Sequence, residues 1–547
     1  MDELSPSSRR LVVVGTLLAL FVASTNTTVV STALPTIVGD LGGLNLLSWV
    51  FTAYMLTSTV TVPISGKLGD LYGRKLFVLA GIGIFTLASA VAGLSQSIEQ
   101  LIVLRGIQGI GGGLIMSNAY AIIGDIFPPA ERGKYQGMFS GVFGISSVLG
   151  PFIGGALTDQ VSWRGVFYLN VPFAMAALAL LTIVLPAMRR GERRYEIDYL
   201  GVAVLTGSIV SFLLALVWGG DEYAWTSPTI VGLVALAALL GAAFLLVEAR
   251  AKEPVLPLHL FRNRVFAVAS LLTLVSGTGM YGAITYMPMF VQGVLGFSAT
   301  NSGLVTSPMM LGLVVSSTLA GFLASRTGRT KPFILGGGLV LVAGMFLLSR
   351  FSPDTTRLLA SLGMIVVGAG IGFSMPIVNL VVQNAFSREY LGVATSSTQF
   401  FRQIGGTLGV AVFGTLVVTG LQSNLERNLP PDVQAQIPPA LLQRLEEPQT
   451  LLNESAKVRL RSDFDSVGPE GPALYSTSIA ATKQSLADAL TVVFFLGFVV
   501  SAIAFALSFF LPERSLRSSW DEAPATARGE AQPTPVAVRL VVPQVDD

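Results

Sequence analysis

The chain contains no cysteine and one histidine, His259. Without cysteine there are no disulfides, thiolate nucleophiles or thiolate metal sites, and one histidine cannot form a histidine zinc cluster. Charge is scarce too: Asp, Glu, Lys and Arg make up 12% of the residues, roughly half the usual 25% of a soluble domain. The 34 basic and 32 acidic residues nearly cancel, so the net charge of +2 gives no nucleic-acid footprint. No Gly-x-x-x-x-Gly-Lys-Ser/Thr sequence occurs, which excludes a P-loop ATPase within this chain. The dinucleotide-like spacing at 277–282 lies inside an apolar run with no strand before it, so it is a chance match. What the chain has instead is apolar length: 52% hydrophobic residues over 547 positions, a composition that needs lipid as its solvent.

A helix crossing a bilayer needs about 20 mostly apolar residues. Runs of that kind occur at 11–34, 47–64, 76–94, 98–123, 135–157, 166–188, 200–219, 229–247, 265–291, 303–324, 333–348, 358–382, 393–421 and 489–511. They predict an all-α polytopic membrane protein with about 14 transmembrane helices. The first run is too long for a signal core and reads as an uncleaved helix. Basic residues cluster in alternate short loops (Arg74/Lys75, Arg132/Lys134, Arg189/Arg190/Arg193/Arg194, Arg250/Lys252/Arg262/Arg264, Arg326/Arg329/Lys331, Arg514/Arg517). The opposite loops hold Arg164 and Arg357 beside Asp40, Asp159, Asp221, Glu222 and Asp354. Positive charge stays inside, so both termini are expected in the cytoplasm and the protein in the cell (inner) membrane.

One connection is long. Residues 422–485 are polar and lie on the expected outer side, with Leu441, Leu442, Leu445, Leu451 and Leu452 spaced for a short amphipathic helix. A mobile loop and a lid or lipid-contacting element both fit it. The sequon at Asn453 is a pattern only. The tail 513–547 is Pro- and Ala-rich and reads as disordered.

The chain also repeats itself. Gly66-Lys-Leu-Gly-Asp70-Leu-Tyr-Gly73-Arg74-Lys75 follows the second run, and Gly321-Phe-Leu-Ala-Ser325-Arg-Thr-Gly328-Arg329 follows the tenth, at equivalent turns. Duplicated halves are a transporter architecture. The first of these turns resembles the signature of the major facilitator superfamily, with Leu71 in place of an Arg. The sequence 101–113 (LIVLRGIQGIGGG) resembles the family's fourth-helix motif, and Gly150-Pro151-Phe-Ile-Gly154-Gly155 resembles its antiporter motif. The stretches 163–172, 25–35 and 400–406 are similar to the fourteen-helix drug:proton antiporter branch. This resemblance covers about residues 10–512. It implies an N-terminal six-helix bundle (1–190), two linking helices (191–263) and a C-terminal six-helix bundle (264–512).

The resemblance implies roles for particular residues. Gly66, Asp70, Gly73, Arg74 and Asp125 would form a cytoplasmic gate, with Asp70 on the helix start near Gly392 and Arg74 on Asp125. Gly150, Pro151, Gly154 and Gly155 would lie between the halves and suppress leakage, although tight packing explains the glycines equally well. Arg105 and Arg402 are charges deep in spans and therefore costly; a role in proton coupling and structural pairing are both open. Asn26 stands where the branch usually has a titratable Asp. An amide keeps the shape but cannot carry a proton, so coupling lies elsewhere, is weak, or was removed by substitution.

The expected substrate cavity lies at midplane. Its candidates are Tyr54, Gln108, Asn118, Tyr281, Tyr286, Met287, Gln292, Asn379 and Gln403, with other methionines as adaptable wall. The resemblance implies an exporter of lipophilic drug-like molecules by exchange for protons; a monomer without a cofactor, and not an enzyme, is expected. Export of lipids or lipophilic metabolites, a proton-uncoupled form and a non-transporting receptor are the alternatives.

Overall fold

The computed structural model describes residues 5–42, 46, 49–186, 197–220, 222–297, 299–452, 454–513 and 515–516. The basic run at Arg189, Arg190, Arg193 and Arg194, the loop Asp221, the sequon Asn453, Arg514, Arg517 and the tail beyond 516 lie outside the described residues.

Fourteen long helices make up the described chain. They are α1 (Pro6–Leu41), α2 (Trp49–Tyr72), α3 (Arg74–Ala92), α4 (Ile98–Ile126), α5 (Pro129–Gln160), α6 (Gly165–Val184) and α7 (Tyr199–Trp218). The rest are α8 (Pro228–Glu248), α9 (Arg264–Met289), α10 (Ala299–Thr327), α11 (Lys331–Leu348), α12 (Arg357–Ala385), α13 (Leu391–Asn428) and α14 (Gly471–Phe509). Local signals start several of them. Pro6, Pro129 and Pro228 open first turns, where a missing N–H costs nothing, and the hydroxyls of Ser5, Ser97 and Ser227 cap the amides that follow.

Twelve of these helices are long and apolar enough to cross a bilayer. The other two, α2 and α4, have 24 and 29 residues and are long enough. Their apolar character is diluted by Lys67 and Asp70 in α2 and by Arg105, Gln108, Asn118 and Asp125 in α4. Large apolar side chains such as Leu87, Ile183, Leu239 and Val315 face outward, as a lipid solvent requires.

The packing repeats. In the first half α1 packs on α5 and α6, α2 on α4, and α3 on α4 and α6; in the second α9 packs on α13 and α14, α10 on α12, and α11 on α12 and α14. Adding eight to each label of the first set gives the second. The halves meet where α2 packs on α13 and α5 on α10, two contacts that exchange under the same operation. The pair α7–α8 stands aside, with α7 touching α2 and α13. Gly73 (φ 94°) and Gly328 (φ 68°) turn the chain at equivalent points of the two halves in a backbone conformation that favours glycine.

Residues 422–485 are helical over most of their length. α13 and α14 run on past the apolar region, joined by short helices at Pro431–Gln434, Pro439–Leu445, Gln449–Leu452 and Glu454–Asp465. Leu425, Leu429, Ile437, Leu441, Leu445, Leu460 and Phe464 give this cap its own core.

Candidate functional site

At the end of the molecule bearing Arg74 and Arg329, here the basic end, two helix crossings join the halves. At the first, Gly66 on α2 lets α13 approach so closely that a Cβ there would overlap Ser396 Oγ and lie 2.8 Å from Gly392 O. That approach brings Asp70 to the first turn of α13. Its Oδ1 accepts from Gly392 N (3.0 Å) and its Oδ2 from Val393 N (2.8 Å). A helix N-terminus presents unpaired amides and partial positive charge, so a carboxylate is well matched to it. Arg74 donates through Nη2 to Asp70 Oδ1 (2.6 Å) and through Nε to Asp125 Oδ2 on α4. All three side chains are buried. One guanidinium thus ties α2, α3 and α4 to the group that holds α13.

The second crossing is the pseudo-symmetric partner. Gly133 on α5 and Gly321 on α10 meet face to face, and a Cβ on Gly321 would overlap the Gly133 carbonyl. Ser325 stands where the first repeat has Asp70, so this crossing carries no carboxylate clasp. Arg132 works beside it: buried, it donates to Phe127 O (2.9 Å), Gly124 O (2.7 Å) and, across the interface, Gln383 O on α12 (3.3 Å). The sequence marks Arg132 only as a basic loop residue; its burial depends on the fold.

The linker between α8 and α9 straps the first crossing. Glu253 pairs with Lys67 on α2 at 2.7 Å. His259 lies edge-on to Tyr390, just before α13, at 5.4 Å between ring centroids. Burial, then the nearby Lys67 and Arg262 charges, push the His259 pKa below its usual 6.5. A cleft of about 470 Å³ opens between strap and clasp, lined by Lys67, Asp70, Glu248, Lys252, Glu253, His259 and Tyr390.

Deeper in, the first half holds a buried polar network. Arg105 donates to Val50 O (3.1 Å) and to Gln108 Oε1 (2.6 Å), and lies over the Tyr54 ring. Gln108 passes the chain to Ser89 Oγ (2.9 Å). Asn26 accepts a hydrogen bond from Asn170 Nδ2 (3.3 Å) and is fully buried. In α13, Arg402 is half-buried and donates to Gln399, while Gln403 accepts from Thr59 on α2 (2.9 Å).

The structure does not bring the nine expected cavity residues together. Tyr54 and Gln108 sit inside the first half, and Tyr286 and Met287 in the core of the second. Asn118 bonds Ser65 on α2 (2.8 Å), and Asn379 accepts from Thr398 on α13 (3.0 Å). Tyr281 packs on Gly406, and Gln292 lies in a π turn after α9. Gln403 spans the boundary between the halves through Thr59. Polarity in an apolar helix is therefore a poor guide here, because much of it is used to join neighbouring helices.

The antiporter-like stretch also differs from expectation. Gly150 and Gly154 pack on Thr28 and Thr32 of α1, within one half rather than between halves, and Gly155 has open space beside it. The side chain of Pro151 lies outside the described residues. The physical reason is that α5 uses its first half (Gly133, Gly137, Gly144) against α10 and its second against α1. Asn170, the partner of Asn26, belongs to the stretch 163–172 and lies at the helix break after Leu169; its pairing with Asn26 depends on the fold.

The Major Facilitator Superfamily model matches residues 16–196 and 199–410. The multidrug transporter protein MdtP of Bacillus subtilis is 40% identical over 507 residues, 92% of this chain and 93% of that one. Multidrug resistance protein 3 of the same organism is 40% identical over 411 residues, covering 75% of this chain and 80% of its own. The crystal structure of the human organic anion transporter MFSD10 matches with a TM-score of 0.59 over 91% of this chain and all (100%) of that one; at 15% identity it bears on the fold alone. The chain belongs to the major facilitator superfamily.

Proposed function

We propose that this member of the major facilitator superfamily is a secondary active exporter of lipophilic, drug-like small molecules that works by alternating access. The observation that carries this reading is the Asp70–Arg74–Asp125 clasp, which closes one end of the boundary between two pseudo-symmetric halves. A static scaffold has no need of a buried carboxylate whose bonds are broken whenever two halves rock apart; a transporter does. The names of the two Bacillus relatives support drug export as the cargo class.

By the distribution of Lys and Arg the basic end faces the cytoplasm. The clasped state is then closed to the inside, in the cell membrane, with both termini cytoplasmic. Protons are the coupling ion in this reading, and Asn26 leaves the first helix without a titratable group, so coupling is weak or uses another path.

The test is flux in proteoliposomes with a panel of neutral, anionic and cationic fluorescent lipophiles under an imposed pH gradient. Saturable, protein-dependent movement of at least one member is the expected result; movement of none overturns the export reading. Asn26→Asp is compared in the same assay. Uphill accumulation by Asp alone assigns coupling to position 26, and equal accumulation by both removes that assignment.

A further inference from the structure

Charge in the interior of this protein is one-sided. Asp40, Asp70, Glu99, Asp125, Glu131, Asp159, Glu248 and Glu426 all lie at or near helix ends. Asp488 sits beside Asn428 at the far end of α13. Between those ends, among the described residues, stand Arg105 and Arg402, and neither has an ion-pair partner. Arg105 Nη2, Asn26 Nδ2 and Gln399 Nε2 are among the buried donors that lack an acceptor. An unpaired guanidinium away from water is costly, and an arrangement of this kind is stabilised by whatever negative group enters it.

Of the two, Arg105 is fully enclosed, whereas Arg402 is half-buried. It lies on α13 where that helix meets the other half. Gln399 accepts from Arg402, and the neighbouring Gln403 accepts from Thr59 on α2. Arg402 therefore borders the boundary between the halves, the path that alternating access opens.

We propose that this path selects lipophilic anions (carboxylates, sulfonates or phenolates) over lipophilic cations, with Arg402 as the pairing group. The inference rests on the export reading and narrows its cargo. A planar guanidinium pairs with an oxyanion through two parallel hydrogen bonds, which gives orientation as well as attraction. A cation on the same path meets the unpaired positive charge of Arg402. The neutral amide at position 26 fits this scheme, since an Asp there would return a negative charge to the first half. The competing account gives Arg402 a structural role in holding Gln399, and such a role is indifferent to the charge of a ligand.

Two dyes on one xanthene frame separate the accounts: fluorescein, an anion, and rhodamine 123, a cation. Binding to the purified full chain is followed by fluorescence anisotropy. Fluorescein is expected to bind at least about tenfold more tightly than rhodamine 123, with Arg402→Gln removing that preference and Arg402→Lys keeping part of it. Asn26→Asp is expected to narrow the preference in favour of the cation. Gel filtration and thermal unfolding establish that each variant is folded. Rhodamine 123 binding as tightly as fluorescein, a preference that survives Arg402→Gln, or binding of neither dye overturns the proposal. Saturable flux of a neutral or cationic lipophile in proteoliposomes then shows that export stands while the anion preference falls.

Discussion

Asp70 on α2 accepts hydrogen bonds from the backbone amides of Gly392 and Val393 on α13, so a single carboxylate joins the two halves of the molecule. It is also the only acid of the clasp that touches α13; Asp125 holds Arg74 from within the first half. The opposite crossing, at Gly133 and Gly321, relies on backbone proximity instead. The two crossings are equivalent in shape and different in chemistry, and each responds to its own kind of substitution.

Asp70→Asn removes the charge facing the α13 terminus and half of the pairing of Arg74. Charged hydrogen bonds of this type are worth about 1.5–3 kcal/mol, so the population open at the basic end should rise tenfold or more by that estimate. Spin labels at Lys134→Cys and Arg326→Cys, both exposed on facing helices, read the opening as longer distances. The chain has no native cysteine to confuse the labelling.

Gly321→Ala places a methyl group against the Gly133 carbonyl, and overpacking of that kind costs about 1–3 kcal/mol. The closed state loses that amount, and transport should fall by about tenfold. Gly155→Ala is the contrast, because nothing lies within 4 Å of a Cβ there. It should leave both stability and flux near the parent value. Equal effects from the two substitutions would discount the crossing as a moving contact.

Breaking the strap should matter less. The side chains of Lys67 and Glu253 are 11% and 32% exposed, so water screens the pair, and exposed or partly exposed pairs couple by about 1 kcal/mol or less. A double-mutant cycle with Lys67→Met and Glu253→Gln, read by thermal unfolding, gives this coupling directly.

Acid should loosen the strap through His259. Its folded pKa is pushed below 6.5 by burial, so the unfolded chain takes up the proton first as the pH falls. The stability contributed by neutral His259 is complete above 6.5 and declines as the pH drops from there towards the folded value. Unfolding temperatures at pH 7.5 and pH 5 (chosen to bracket about 6.5) should differ less for His259→Gln than for the parent chain.

The sequence carries the helical class plainly, because lipid-facing helices must be apolar and α8, the least enclosed, is among the most hydrophobic. The same rule fails at α2 and α4, whose inward faces carry the clasp and the Arg105 network. The glycines at 73 and 328 are legible because a turn repeats around them. Gly133 is not, since its meaning lies in Gly321 opposite, far away along the chain. The direction faced by Gly150 and Gly154 is hidden for a related reason: one helix serves two partners along its length. Pairings such as Asn26 with Asn170 and Arg132 with Gln383 depend on the third dimension and leave no local signal.

The cap between α13 and α14 sets this molecule apart from its own internal symmetry. At 1.5 Å per residue the 38 and 39 residues of those helices extend for about 57 Å, nearly twice a hydrocarbon core of about 30 Å. The cap is continuous with both helices, so under the alternating access proposed above it travels with the second half as one piece. An antibody fragment raised against it would mark one half in electron micrographs, breaking the near-twofold ambiguity of the particle. The tilt of that fragment against the lipid plane would then act as a pointer for the rocking of the half beneath.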